Sequence, residues 1–177
     1  MPRSSNTVKF KTTLTQSTVD TGWHFLVIGR RIADKFPVRD KTRRVICSIN
    51  GAKPFPCALM PWGDEFYIMV NKARRASLGI EAGDKVSVEL TPDDSKYGMP
   101  MPAEFKEVLK QDREGDRLFH ALTAGKQRSL LYYIGKIKNI DGRIHAALIV
   151  MEHLKRNDGK LDGNLLYQEL KRPIAEF

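Results

Sequence analysis

A chain of 177 residues is long enough for one large domain or a domain with an appended subdomain, and a hydrophobic fraction of 41% excludes intrinsic disorder. No apolar run reaches the length of a membrane span, and Met1-Pro2-Arg3-Ser4-Ser5-Asn6 is too short and polar for a signal peptide, so no membrane insertion and a bacterial-type cytoplasmic location are expected. The formal charge of +9 is uneven, because residues 1–91 hold 15 Lys/Arg against 8 Asp/Glu, a net +7, while residues 92–177 hold 15 against 13, a net +2.

After a flexible stretch over 1–7, Val8, Phe10, Thr12 and Leu14 alternate with Lys9, Lys11 and Thr13, the period of a half-buried strand. Trp23, Phe25 and Val27 alternate with His24, Leu26 and Ile28, so a second strand is apolar on both faces and is expected to be covered on both. Arg30, Arg31, Lys35, Arg39, Lys41, Arg43 and Arg44 follow, a run that either attracts polyanions through counterion release or stays solvated on a loop. Val45, Cys47 and Ile49 mark a third strand ending at Asn50-Gly51, a strong hairpin signal; the chain returns from Phe55 to Leu59, and Pro61-Trp62-Gly63 is expected to turn it. Phe66, Ile68 and Val70 alternate with Glu65, Tyr67 and Met69, Asn71 suits an N-cap, Gly79 suits the left-handed end of a short helix, and Gly83-Asp84 turns into Val86, Val88 and Leu90. This strand, helix, strand unit resembles the swapped-hairpin element of the AbrB-like transcription regulators. The resemblance implies a barrel and, with the +7 half, raises nucleic acid as a possible partner. Six short strands within about 90 residues suit a small closed barrel over 8–92. Because six strands can close within one chain where AbrB-like hairpins need two, a monomer or weak homodimer is expected.

Turn formers dominate 93–102, which reads as a linker. Beyond it the period becomes helical over 103–156. Pro102 opens a helix with Phe105, Val108 and Leu109 on one face; Leu118, Phe119 and Leu122 mark a second; Thr123 caps a third carrying Leu130, Leu131, Ile134 and Ile137. Asp141-Gly142 is expected to break the chain before a fourth helix with Ile144, Ala147, Leu148, Met151 and Leu154. An extension over 157–177, with an apolar cluster at Leu165, Leu166 and Leu170, either docks weakly or is mobile. The fold class is therefore α+β, a closed six-stranded barrel followed by a helical C-terminal subdomain. Cys47 and Cys57 read as reduced, buried residues; with four scattered histidines they match no usual zinc spacing, and neither metal nor cofactor is expected.

Val45, Ile49-Asn50-Gly51, Pro54-Phe55, Leu59-Met60-Pro61, Gly63, Val70-Asn71-Lys72-Ala73, Arg75, Leu78-Gly79 and Gly83-Asp84 resemble a bacterial domain of unknown function, numbered 1905. Pro102, Phe119, Leu122-Thr123, Gly125-Lys126-Gln127-Arg128, Ile134, Lys138 and Arg143 resemble the helical partner domain of the YdeI/OmpD-associated, bacteriocin-protection type. The likeness spans about residues 8 to 155 and implies a barrel followed by a helical domain in a stress or bacteriocin-resistance setting, without catalytic residues to carry over. The chain departs from the pattern at Gly142-Arg143 and then Ala146, where the helical family commonly has Thr-Arg and a second basic residue.

Asn50, Asn71, Lys72, Arg74 and Arg75 would gather near turns and the short helix, where free N–H groups beside cations suit an anion. The same residues serve equally as turn, cap and solvated charge. Arg128, Tyr132 and Lys136 fall at four-residue steps on one helical face, a basic–aromatic pattern that either holds phosphates beside a stacking ring or packs its ring and snorkels its charges. Met60, Pro61 and Trp62, and Met99 to Pro102, either edge a pocket or fill space. With no Walker loop, nucleotide-binding glycine motif, nucleophile elbow or Cys/His signature, the expectation is a non-enzymatic protein binding an anionic or amphipathic ligand at a cleft between barrel and helices; the alternative is an AbrB-like nucleic-acid-binding regulator.

Overall fold

Alternation along the strands is what closes the N-terminal part. In the computed structural model, which describes residues 6–19 and 22–173, six antiparallel strands form a closed barrel: β1 (Val8–Gln16), β2 (His24–Ile28), β3 (Arg43–Ile49), β4 (Phe55–Trp62), β5 (Glu65–Met69) and β6 (Lys85–Pro92), in the ring order β1-β2-β5-β4-β3-β6. The barrel therefore closes within one chain and leaves no strand edge unpaired. Leu14, Leu26, Ile28, Val45, Cys47, Ile68, Val86 and Leu90 point inward and are buried. Six strands enclose a narrow interior that these side chains fill, so ligand sites must lie on the barrel's ends or outer face.

Two connections cross the ends of the ring. The link from β2 to β3 joins opposite strands through the short α1 (Arg30–Ala33), and its Ala33 and Phe36 are buried in the core. β5 and β6 are also opposite each other, and α2 (Lys72–Leu78) spans the other end with Leu78 and Ile80 against the core. As the sequence indicates, Asn71 caps α2, its Oδ1 accepting the Arg74 N–H at 2.8 Å, and Gly79 ends the helix at φ 64°.

At the β3–β4 hairpin Asn50 and Gly51 both take positive φ, 52° and 72°, the conformation that matches the twist of the flanking strands. The turn expected at Pro61-Trp62-Gly63 falls later: β4 continues through Pro61 and Trp62, which pair with Phe66 and Glu65. Proline is tolerated there because this half of β4 pairs with β5 alone, β3 having ended its register at Leu59. The two-sided cover expected for β2 is absent. Its inner face is buried at Leu26 and Ile28, whereas its outer face, Phe25 and Val27, is half-buried, and Trp23 just ahead of it stands 57% exposed.

The second compact unit, from Ser95 onward, is helical: α3 (Ala103–Gln111), α4 (Arg113–Ala121), α5 (Ala124–Lys136), α6 (Ile140–Arg156) and α7 (Gly163–Leu170). Asp112, Thr123, Asn139 and Asp162 cap α4 to α7 with their side-chain oxygens, each satisfying a donor the helix start would leave unpaired. α6 packs against the other four helices around Phe105, Phe119, Leu131, Ile134, Val150 and Leu154. Fully burying a side chain the size of Phe119 contributes about 1.5–3 kcal/mol. Met99 and Met101 rest on this core as filler.

Asp141-Gly142 does not break the chain; it lies in the first turn of α6, where Asn139 Oδ1 accepts the Gly142 N–H. A Cβ at 142 would sit 2.7 Å from that oxygen, so glycine is present to let the cap approach. On α6 the expected Ala147, Met151 and Leu154 are buried, together with Ala146, Ile149 and Val150, whereas the expected Ile144 and Leu148 are each 38% exposed. The half-buried Arg143 ties the unit together, donating to the Ile137 and Lys138 carbonyls at 2.9 and 3.0 Å and to Glu104 Oε1 on α3 at 2.8 Å.

The extension beyond 157 is built into the unit over its described residues. His153, fully buried on α6, accepts the Asp162 N–H at Nε2 (3.1 Å), so Nδ1 carries the proton it gives to Glu169 Oε2 on α7 (2.7 Å). Leu166 on α7 is buried in the helical core. Residues 1–5 and 174–177, which belong to the stretches expected to be flexible or mobile, lie outside the described residues.

Candidate functional site

Barrel closure sets the β3–β4 hairpin beside α2, and between them runs a groove of about 440 Å³. Pro54, Phe55 and Leu78 supply apolar surface; Lys53, Asn71, Arg74 and Ser77 supply the polar part. The Arg74 guanidinium lies 3.4 Å from the Phe55 ring centroid. A guanidinium held flat on a ring keeps its N–H donors at its edge, where carboxylates and phosphates bind in fork geometry. The groove lies wholly on the barrel.

Of the residues singled out from sequence, Asn71 and Arg74 share this groove. Asn71 has its side-chain oxygen engaged as the cap of α2, leaving its amide N–H₂ as the group available to a ligand. Lys72 is exposed at the first turn of α2. Arg75 turns to the backbone and donates to the Val70 carbonyl at 2.8 Å, closing the strand-to-helix junction. Asn50 is committed to its turn: its Oδ1 accepts the Ser87 N–H at 2.9 Å and its own N–H bonds the Ser87 carbonyl at 2.8 Å. Lys53 and Phe55 were not foreseen, because their place beside α2 follows from strand order rather than from any local motif; Ser77 was also missed, although its position on α2 three residues after Arg74 puts it on the same helical face.

Arg128, Tyr132 and Lys136 belong to the helical unit, on α5. Tyr132 is 55% exposed and the Lys136 ammonium lies 5.6 Å from its ring centroid, a solvated cation–π pair.

The run from Arg30 to Arg44 is partly neutralised. Arg43 donates to Asp34 at 3.0 Å and stands 5.1 Å from the Phe66 ring, Arg39 pairs with Asp94 at 3.3 Å, and Arg30 bonds the Asp64 carbonyl. Beside the groove, Cys57 on β4 has its thiol pushed up well above the usual range by a hydrogen bond with Cys47 and by burial, against the smaller pull of Arg44 and Arg74. That direction keeps the half-buried thiol protonated at neutral pH. Among the described residues no group of three or more His, Cys, Asp or Glu is placed to hold a metal ion, and no helix is long and apolar enough to cross a membrane.

Residues 10–90 match the family described as domain of unknown function (DUF1905), and residues 99–157 match the family described as bacteriocin-protection, YdeI or OmpD-associated. No curated protein matches the chain. The first match coincides with the barrel strands and the second with α3 to α6. The chain thus joins a barrel belonging to the DUF1905 family to a helical domain belonging to the bacteriocin-protection, YdeI/OmpD-associated family.

Proposed function

We propose that this protein, of the uncharacterised bacteriocin-protection type, is a non-enzymatic binding protein that takes an anionic amphipathic ligand into the groove between α2 and the β3–β4 hairpin. The observation that carries this reading is the Arg74 guanidinium stacked on Phe55 above an apolar floor, with Lys53 alongside. An acyl or aromatic portion would rest on Pro54, Phe55 and Leu78 while a carboxylate or phosphate meets Arg74 and Lys53. Hydrogen bonds to a charged partner contribute about 1.5–3 kcal/mol, enough for a tenfold or greater preference for a charged head group over a neutral one.

Isothermal titration with octyl phosphate and with octanol tests the reading. Octyl phosphate is expected to bind at least tenfold tighter than octanol, and Arg74→Glu to abolish that preference. Equal affinities in the wild type, or a preference unchanged in Arg74→Glu, would place the ligand elsewhere.

A further inference from the structure

Both tryptophans of the chain, Trp23 and Trp62, stand on one outward face of the barrel, 57% and 54% exposed. The strand register continues this face: Phe25 pairs with Met69, and Tyr67 pairs with both Val27 and Met60. Phe25 sets its ring edge-to-face against Trp62 at 5.2 Å and Tyr67 at 6.0 Å, so the rings form one contiguous layer on β2, β5 and β4. A groove of about 390 Å³ runs between this layer and the segment Thr15 to Val19. Met60 and Met69 add 41% and 40% exposure.

At roughly 150–250 Å² for each aromatic side chain, these exposures leave on the order of 400 Å² of apolar surface in one patch. A patch of that size is comparable to the largest that a typical monomer carries, and such patches often serve a function. The face itself holds no Lys or Arg among its described residues, in a chain of net charge +9, and at its edge Glu65 stands near Arg30, which donates to the Asp64 carbonyl at 3.3 Å. The cations that would draw an acidic protein or a nucleic acid lie elsewhere.

We propose that this face pairs with the same face of a second copy of the chain, in a two-fold isologous dimer. Two copies of net charge +9 repel one another, and this face, with no Lys or Arg of its own, is where they can meet with few opposing cations. Pairing would remove about 800 Å², below what stable interfaces bury and in the range of weak encounters, which fits a readily reversible dimer. Outer sheet faces stacked about 10 Å apart would interdigitate the rings.

The test follows sedimentation equilibrium and tryptophan emission of the full chain over a dilution series from roughly 200 to 1 µM, a range suited to an interface of this size. Because both tryptophans lie in the proposed interface, dissociation on dilution should shift their emission to the red with the same midpoint as the fall in mass. Raising the salt should tighten the dimer at least twofold by screening like charge, the opposite of its effect on nucleic-acid binding. Trp62→Glu and, on a different strand, Met69→Glu should each be monomeric throughout with unchanged circular dichroism. A monomer mass at every concentration overturns the proposal, whether the emission is red, meaning a bare face, or blue, meaning a face covered by a small molecule or by another part of the same chain. A dimer that survives both substitutions overturns it as well.

Discussion

Replacing Gly142 by alanine sets the geometry of the first turn of α6 against the ordinary rule for glycine in helices. By propensity alone the change is worth about 1 kcal/mol of added stability. Here the new Cβ would lie 2.7 Å from Asn139 Oδ1 and 2.8 Å from Ile137 Cγ2. Neither neighbour yields easily, because Asn139 is held by its bond to the Gly142 N–H and Ile137 packs on the helical core. Displacing the cap costs about 1 kcal/mol, and forcing a methyl group against packed atoms costs about 1–3 kcal/mol. Propensity offsets part of this, leaving a net loss of about 1–3 kcal/mol and a melting temperature lower by roughly 4–8 °C for each kcal/mol in a unit of this size. Thermal unfolding followed by far-ultraviolet circular dichroism reads the change directly. Gly135→Ala in α5 is the control: its Cβ would meet Pro102 Cγ at 3.7 Å, ordinary contact, so this variant should melt higher than the wild type. A Gly142→Ala protein as stable as the wild type, or more so, would refute the account of the cap.

His153→Ala should release α7, since it removes the acceptor of the Asp162 N–H and the donor to Glu169; the loss of about 2–3 kcal/mol corresponds to a drop of roughly 30- to 140-fold in hydrogen-exchange protection over α7, and unchanged protection would contradict the latch. Acid should loosen the helical unit. The hydrogen bond from Arg143 holds the Glu104 carboxyl below its usual range and that from Lys155 does the same for Asp112, so both contributions are complete above the ordinary carboxylate values and are lost as pH falls through the lowered ones. Melting temperatures of the helical unit are therefore expected to fall steeply only below about pH 4, and less steeply in Lys155→Gln; a flat profile would count against these ion pairs. In the barrel, Gly51→Ala has open space around it but forces a side chain into positive φ, and equilibrium denaturation should show a loss of about 1–2 kcal/mol.

The barrel was legible because each inward residue is announced by alternation, and because Asn50-Gly51 and Asn71 to Gly79 carry local chemistry that admits few backbone conformations. Legibility failed where a local signal answers to non-local structure. Pro61 looks like a turn residue until β4 is seen to have β5 as its sole neighbour there. Gly142 looks like a breaker until the Asn139 cap is in place. Phe25 and Val27 look like core on their second face, yet the outer side of that strand is an exposed aromatic layer. At the candidate site, Asn71 and Arg74 could be picked out together because three residues on a short helix keep them close. Phe55 and Lys53 could not, since only the ring order brings the β3–β4 hairpin alongside α2.

Backbone amide chemical-shift mapping of the full ¹⁵N-labelled chain, titrated with octyl phosphate, tests the binding reading most directly. Shifts concentrated at Lys53, Phe55, Asn71, Arg74, Ser77 and Leu78, and absent from that cluster in Arg74→Glu, are the predicted result. Saturable shifts confined to other surfaces, or none at all, would contradict it.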